Sequence, residues 1–222
     1  MRSLAIGCAA LAVAASLLAP LRASAYCLTS GCPNGKEGAI CTPSLPSDCG
    51  KKLFWTEPCL GFSVQKDASN QVDYKTAARI LGAAFATWTS AACPGGPPSI
   101  RVTDLGPVDC ADVEYNQHSG NANILMFRDD VWISHADDVD ALARTTVWYD
   151  PDTGQINDAD IEVNTANFAF SSDGSLAPNA PGPPYDLQAV LTHEAGHFLG
   201  LAHTTDANAT MLVTVTPLLA SA

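Results

Sequence analysis

Residues 193–203 read HEAGHFLGLAH and hold three of the five histidines in a chain of 222 residues. No other stretch restricts the fold so sharply, because the pattern has chemical meaning only if the chain brings these side chains together. His193 and His197 are four apart, so a helix sets both imidazoles on one face, where their nitrogens can converge on a single ion. Glu194, one position on, lies beside that ion without facing it squarely, which suits a base acting on a metal-bound water. Gly200 can take the positive φ that ends a helix and turns the chain back, so that His203 supplies a third nitrogen from outside the helix. Three neutral imidazoles leave the fourth position of a tetrahedral Zn²⁺ open, which separates a catalytic site from a closed structural one. A lone histidine on an apolar helix is usually a core residue, but five fixed positions recur by accident on the order of once in 10⁵ chains. His118 and His135 each stand singly in polar stretches and are not expected to bind metal.

The motif needs a helix, and the pattern around it supplies one. Leu187, Val190, Leu191, Ala195, Phe198 and Leu199 carry apolar spacing straight through the histidines. Upstream, Ala77, Ile80, Leu81, Ala84, Phe85 and Trp88 recur at three- and four-residue intervals, with Asp73 to cap the start and Cys93-Pro94-Gly95-Gly96 to end the pattern. Strands are expected in KLFWTEPCLGFSVQ (52–65), SIRVTDL (99–105) and NANILMFRD (121–129). A hairpin is expected over 141–164, where two β-prone runs flank Asp150-Pro151-Asp152-Thr153-Gly154. Residues 165–184 read as a polar loop rich in Gly and Pro. The order strand, helix, strand, strand, hairpin, helix is an α/β arrangement, a twisted sheet with one long helix packed early and a second carrying the histidines.

The N-terminus has the layout of a secretory leader. Met1-Arg2 is followed by an apolar run from Leu4 to Ala19, then Arg22 and the small-residue triplet Ala23-Ser24-Ala25. The run is shorter than the ~20 residues of a spanning helix, so the expectation is a signal peptide over 1–25 and an exported chain beginning at Tyr26, with no stable membrane association after cleavage. Loss of Arg2 and Arg22 takes Lys plus Arg from 11 to 9 against 23 acidic residues, a net charge of −14. Nucleic acid would be repelled. Seven cysteines follow the leader, and in an exported protein they read as disulfides with one thiol left over. Cys27, Cys32, Cys41 and Cys49 make residues 26–50 a stapled, cysteine-rich segment ahead of one domain over 51–222.

H-E-x-x-H-x-x-G-x-x-H is the metzincin metallopeptidase motif. HEAGHFLGLAHTTDANATM, residues 193–211, resembles the matrixin branch of that family, in which a small-residue stretch ending in methionine follows the third histidine. The resemblance implies that His193, His197 and His203 bind one catalytic zinc, that Glu194 is the catalytic base, and that Met211 is the turn methionine beneath the ligands. It implies a metzincin-like sheet of about five strands, an active-site helix on the cleft floor, and an edge strand above the zinc that pairs with extended protein or peptide substrates. Leu142–Val147, LARTTV, is the edge strand expected here. The function implied is a secreted, or in a bacterium periplasmic, zinc metalloendopeptidase.

Several features depart from that pattern. Only His118 and His135 stand before the helix, so no second, structural zinc is expected. Asp150, Asp152, Asp158 and Asp160 crowd the hairpin and make Ca²⁺ a second candidate ion. Cys49-Gly50 resembles the cysteine that blocks zinc in matrixin zymogens, although a disulfide in the stapled segment is the stronger reading. Eleven residues follow Met211, where the family places a pocket wall and a closing helix, so an apolar flank at Leu199, Leu201 and Leu212 is expected to stay partly open. The competing reading is a zinc-bearing extracellular binding module without catalysis. An intact Glu194 speaks against it, because a module that needs only metal has no use for a base there. Substrate identity, disulfide pairing and oligomeric state are not encoded in any motif.

Overall fold

The first long helix, α1 (Tyr74–Thr89), forms where the apolar spacing puts it. Its start is capped by Asp73, whose carboxylate accepts from the Thr76 backbone at 3.1 Å and the Thr76 hydroxyl at 2.6 Å. It ends sooner than the Cys93–Gly96 stop signal, because Ser90 returns both its backbone N–H (3.0 Å) and its hydroxyl (2.6 Å) to the Ala86 carbonyl. Ala77, Ile80, Leu81, Ala84, Phe85 and Trp88 are all buried. This is the computed structural model of the chain, and it describes residues 28–31, 51–93, 95–132, 139–175 and 183–218. The expected leader, Cys27, Cys32, Cys41, Cys49 and His135 lie outside the described residues.

Five strands make the main sheet: β3 (Cys59–Gln65), β4 (Arg101–Val108), β5 (Ile124–Phe127), β6 (Ala143–Tyr149) and β7 (Ile156–Val163). Their order is β4-β3-β5-β7-β6, with every pairing parallel except that of β6 with β7. The antiparallel exception is the expected hairpin, and it leaves β6 as the sheet's last strand with one edge free of sheet partners. Pleating sends Ala159, Ile161 and Val163 of β7 into the core with Phe62, Val64, Leu125 and Phe127. The alternate residues Asp158, Asp160 and Glu162 face the other way and are buried as well.

Small pairings that carry no periodicity were not legible. β1 (Ser30–Gly31) pairs antiparallel with β2 (Lys51–Lys52), and β8 (Phe170–Ser171), inside the stretch read as loop, pairs parallel with β9 (Tyr185–Asp186) just after it. Phe170 is buried there, its N–H donated to Gln71 Oε1 at 2.9 Å. The described cysteines, Cys59, Cys93 and Cys110, are free thiols. Cys59 opens β3 and Cys110 lies beyond the far end of the parallel strand β4. At about 3.3 Å per residue the two are well outside the ~7 Å reach of a disulfide. Among the described residues no helix is long and apolar enough to cross a membrane.

Candidate metal centre

The second helix, α2 (Leu187–Phe198), carries the motif. Asp186 caps it, accepting from the N–H groups of Gln188 (2.8 Å) and Ala189 (3.1 Å). Leu187, Val190, Leu191, Ala195 and Phe198 are buried in the core shared with α1 and the sheet. Trp88 of α1 donates its indole N–H to the Thr192 carbonyl at 2.7 Å, clamping the turn just before His193. At the other end Gly200 donates to the His197 carbonyl (2.8 Å) and Leu201 to the Gly196 carbonyl (2.9 Å), a Schellman closure. Gly200 has φ of +88°, and a Cβ there would lie 2.9 Å from the Leu53 carbonyl oxygen. Conformation and space both demand glycine.

That reversal brings His203 back over the helix. The Nε2 atoms of His193, His197 and His203 lie 3.0–3.1 Å from one another. His193 Nδ1 is 2.9 Å from the Thr210 carbonyl and His197 Nδ1 is 2.9 Å from the Leu201 carbonyl. A carbonyl only accepts, so both Nδ1 atoms carry hydrogen and both Nε2 atoms present lone pairs. Two lone pairs 3.1 Å apart repel unless a cation stands between them, so this donor set fits a small N-preferring ion such as Zn²⁺. Burial and the neighbouring imidazoles push the His197 and His203 pKa values down to about 4, which keeps both rings neutral near pH 7. Among the described residues these three histidines are the one group of ligating side chains so gathered.

Glu194 is buried at the same place, and its Oε2 accepts from the Thr145 hydroxyl at 2.7 Å. Glu194, His197 and His203 line a cavity of about 380 Å³ together with Ala143 and Thr145 of β6 and with Thr29. Residues 28–31 are tied in here: Thr29 donates to the Gly200 carbonyl at 2.7 Å, and Leu28 bridges Leu201. Met211 is fully buried, and a Cβ at Gly196, between the two helical histidines, would collide with its sulfur. The glycine in HEAGH therefore admits Met211 against α2. A larger cavity, about 890 Å³, lies between the start of α2 and the residues around Met211, including Thr210, Leu212 and Val215, and none of the histidines lines it. Leu212 in its wall is half-buried, as are Leu199 and Leu201 beyond the other end of α2.

The structure does not bring the remaining candidates together. His118 is exposed. Asp150 is exposed at the hairpin turn, where N–H groups of Thr153 and Asp152 hold its carboxyl below the usual range. Asp152 is exposed, whereas Asp158 and Asp160 are buried within β7, and no three acidic groups among the described residues gather at ligand spacing. Thr145 escaped the sequence reading, although a threonine between Ala143 and Val147 on the inward face of a strand is a visible polar interruption. The carbonyls of Thr210 and Leu201 left no signal at all, since every residue has one.

No curated protein matches the chain. The sequence profile of the family described as Matrixin matches residues 54–221, a span that takes in α1, the five-stranded sheet, all three histidines, Glu194 and Met211. With that match over most of the chain and a histidine triad of the required spacing on the second helix, the chain belongs to the matrixin family, the zinc metallopeptidases.

Proposed function

We propose that the chain is a secreted zinc metalloendopeptidase in which His193, His197 and His203 hold the metal, Glu194 is the catalytic base and Met211 supports the ligands from below. One observation carries this reading. Three Nε2 atoms converge beside a cleft that His197, His203 and the Glu194 carboxylate line and whose wall is the free-edged strand β6. When bound, zinc supplies Lewis acidity, polarising a carbonyl and lowering the pKa of water to about 7. The chain's own residues do the rest. An extended substrate adds antiparallel to the edge of β6 through backbone hydrogen bonds, which favours an extended peptide over any particular composition. Glu194 takes the proton of the attacking water and delivers it to the leaving amine. The Thr210 and Leu201 carbonyls keep the ligand tautomers of His193 and His197.

Export rests on the leader over 1–25, and residues 26–50 form a cysteine-rich segment ahead of the catalytic domain over 51–222. Purified protein should contain close to one zinc per chain and should cut a denatured protein mixture, the new termini being identified by sequencing. Glu194→Ala should keep the zinc and lose about 10²- to 10⁴-fold of that cleavage. Zinc binding without any cleavage by the unaltered chain would favour the silent binding module instead.

A further inference from the structure

We infer that Thr145 is the positioning residue of this reaction, its hydroxyl holding the Glu194 carboxylate against the strand that receives the substrate; the inference rests on the peptidase reading above. The Thr145 hydroxyl lies 2.7 Å from Glu194 Oε2 and 3.2 Å from the Glu194 backbone carbonyl. A hydroxyl has one hydrogen, and the shorter contact, to a carboxylate, is the stronger. Both acceptors belong to the same residue, so the hydroxyl is held over Glu194 whichever oxygen it serves.

Packing alone does not call for a threonine. Ala143 and Val147, two residues to either side, share the inward side of β6 and are partly buried against the core. A valine at position 145 would have the same branched shape and as good a fit to a strand. A half-buried hydroxyl is costly unless it is bonded, so what threonine adds over valine is the bond to Glu194. A glutamate side chain otherwise samples several rotamers, and pinning one carboxylate oxygen removes that freedom before the reaction begins. The residue doing this belongs to β6 itself. A peptide paired to the edge of β6 and the base that serves it therefore share one rigid reference, and the distance from scissile bond to carboxylate is set through Thr145.

The test uses the full chain with one equivalent of zinc and a fluorogenic peptide built on a cleavage sequence found in the denatured-protein digest. Thr145→Val should lower kcat roughly tenfold to a hundredfold. KM should stay within about twofold, while zinc content and Tm remain those of the unaltered chain. Thr145→Ser, which keeps the hydroxyl, should return kcat to within a few-fold of the original. In the zinc-free chain, the ¹³C resonance of the Glu194 carboxyl should move in Thr145→Val and hold its place in Thr145→Ser. Thr145→Ala carries the same comparison should the valine variant fold poorly. Full kcat in the hydroxyl-free variants overturns the inference, as does failure of serine to rescue, or a loss of kcat that tracks loss of zinc or of Tm. An unaltered chain that cleaves nothing overturns the peptidase reading on which this inference rests; an active parent whose hydroxyl-free variants keep full kcat overturns this inference alone.

Discussion

Two buried polar clusters sit within a few residues of the same core, and they have opposite fates. On α2 and the turn behind it, three imidazoles meet with Nε2 atoms 3.0–3.1 Å apart. On the outward side of β7, three carboxylates, Asp158, Asp160 and Glu162, are more deeply buried than the imidazoles but stand two residues apart along a strand, a step of roughly 6.7 Å. Burial acts on both in the same sense, against charge. It lowers His197 and His203 to about 4 and raises Asp158 and Asp160 to about 7. The acids are then dealt with one at a time. Asp160 accepts from the Ile124 N–H at 2.8 Å, Glu162 receives the Arg128 guanidinium at 2.6 Å, and Asp158 keeps a buried Oδ2 with no hydrogen-bond partner. Shifted pKa values and burial are therefore common to both clusters; what sets the candidate metal site apart is convergence, and a helix closed by Gly200 converges where a straight strand cannot.

The sharpest way to break this comparison is to remove one imidazole. His203→Ala should weaken zinc binding by roughly 10²- to 10³-fold, one ligand's share of a zinc-binding free energy of about 10–16 kcal/mol. Competition with a chromophoric chelator reads it directly. The same titration on Asp158→Asn should match the unaltered chain; weakened zinc binding there would show that the two clusters are coupled.

Next in size is the ion pair of the acid row. Arg128→Met takes the guanidinium from Glu162, which is 1% exposed, and from the Ala111 carbonyl that accepts from it at 2.6 Å. The expected loss is about 3 kcal/mol of unfolding free energy in urea, the low end for breaking a buried pair. A change below about 1 kcal/mol would mean that the pair behaves as a surface bridge.

The smallest effect is the pH dependence, where the two clusters pull in opposite directions. Asp158 and Asp160 have folded-state pKa values raised by burial from 3.8 to about 7, Asp158 further by its neighbour Asp160. Their stabilisation is complete below pH 4 and is lost as pH rises through 7. His197 and His203 are lowered from 6.5 to about 4, so their contribution is present above 6.5 and lost as pH falls through 4. Subtracting the Asp158→Asn curve from that of the unaltered chain cancels the histidines. A rise from 3.8 to about 7 represents about 4 kcal/mol at ~1.4 kcal/mol per pH unit; with about half of it screened by solvent, the difference should fall by on the order of 2 kcal/mol between about pH 4 and 8 and flatten above. A flat difference would show that Asp158 is solvated in the folded chain.

Most of the frame could be read before any coordinates. α1 and α2 announced themselves because an amphipathic stripe is a property of neighbours three and four apart, and the β6–β7 hairpin because Asp150 to Gly154 is turn chemistry in its own right. The gathering of His193, His197 and His203 beside Glu194 was legible for the same reason, since a candidate ligand set built on one helix and the turn at Gly200 is local. β1, β8 and β9 were not, because two-residue strands exist only through their partners.

The sequence by itself determined that three imidazoles and a glutamate would share one end of one helix, for local geometry dictates it. Only the tertiary structure decided what surrounds them. The long-range contacts are Thr145 of β6 on the Glu194 carboxylate, the Trp88 indole on Thr192, the Thr210 carbonyl on His193, and Met211 in the gap left by Gly196. The segment at Thr29 reaches the cleft from more than 160 positions away in the chain. None of these has a spacing in the sequence, because each joins residues that only sheet order and helix packing make neighbours. The same holds for the acid row: alternation along β7 could place Asp158, Asp160 and Glu162 on one side, but whether that side met water or protein depended on what the rest of the chain laid over it.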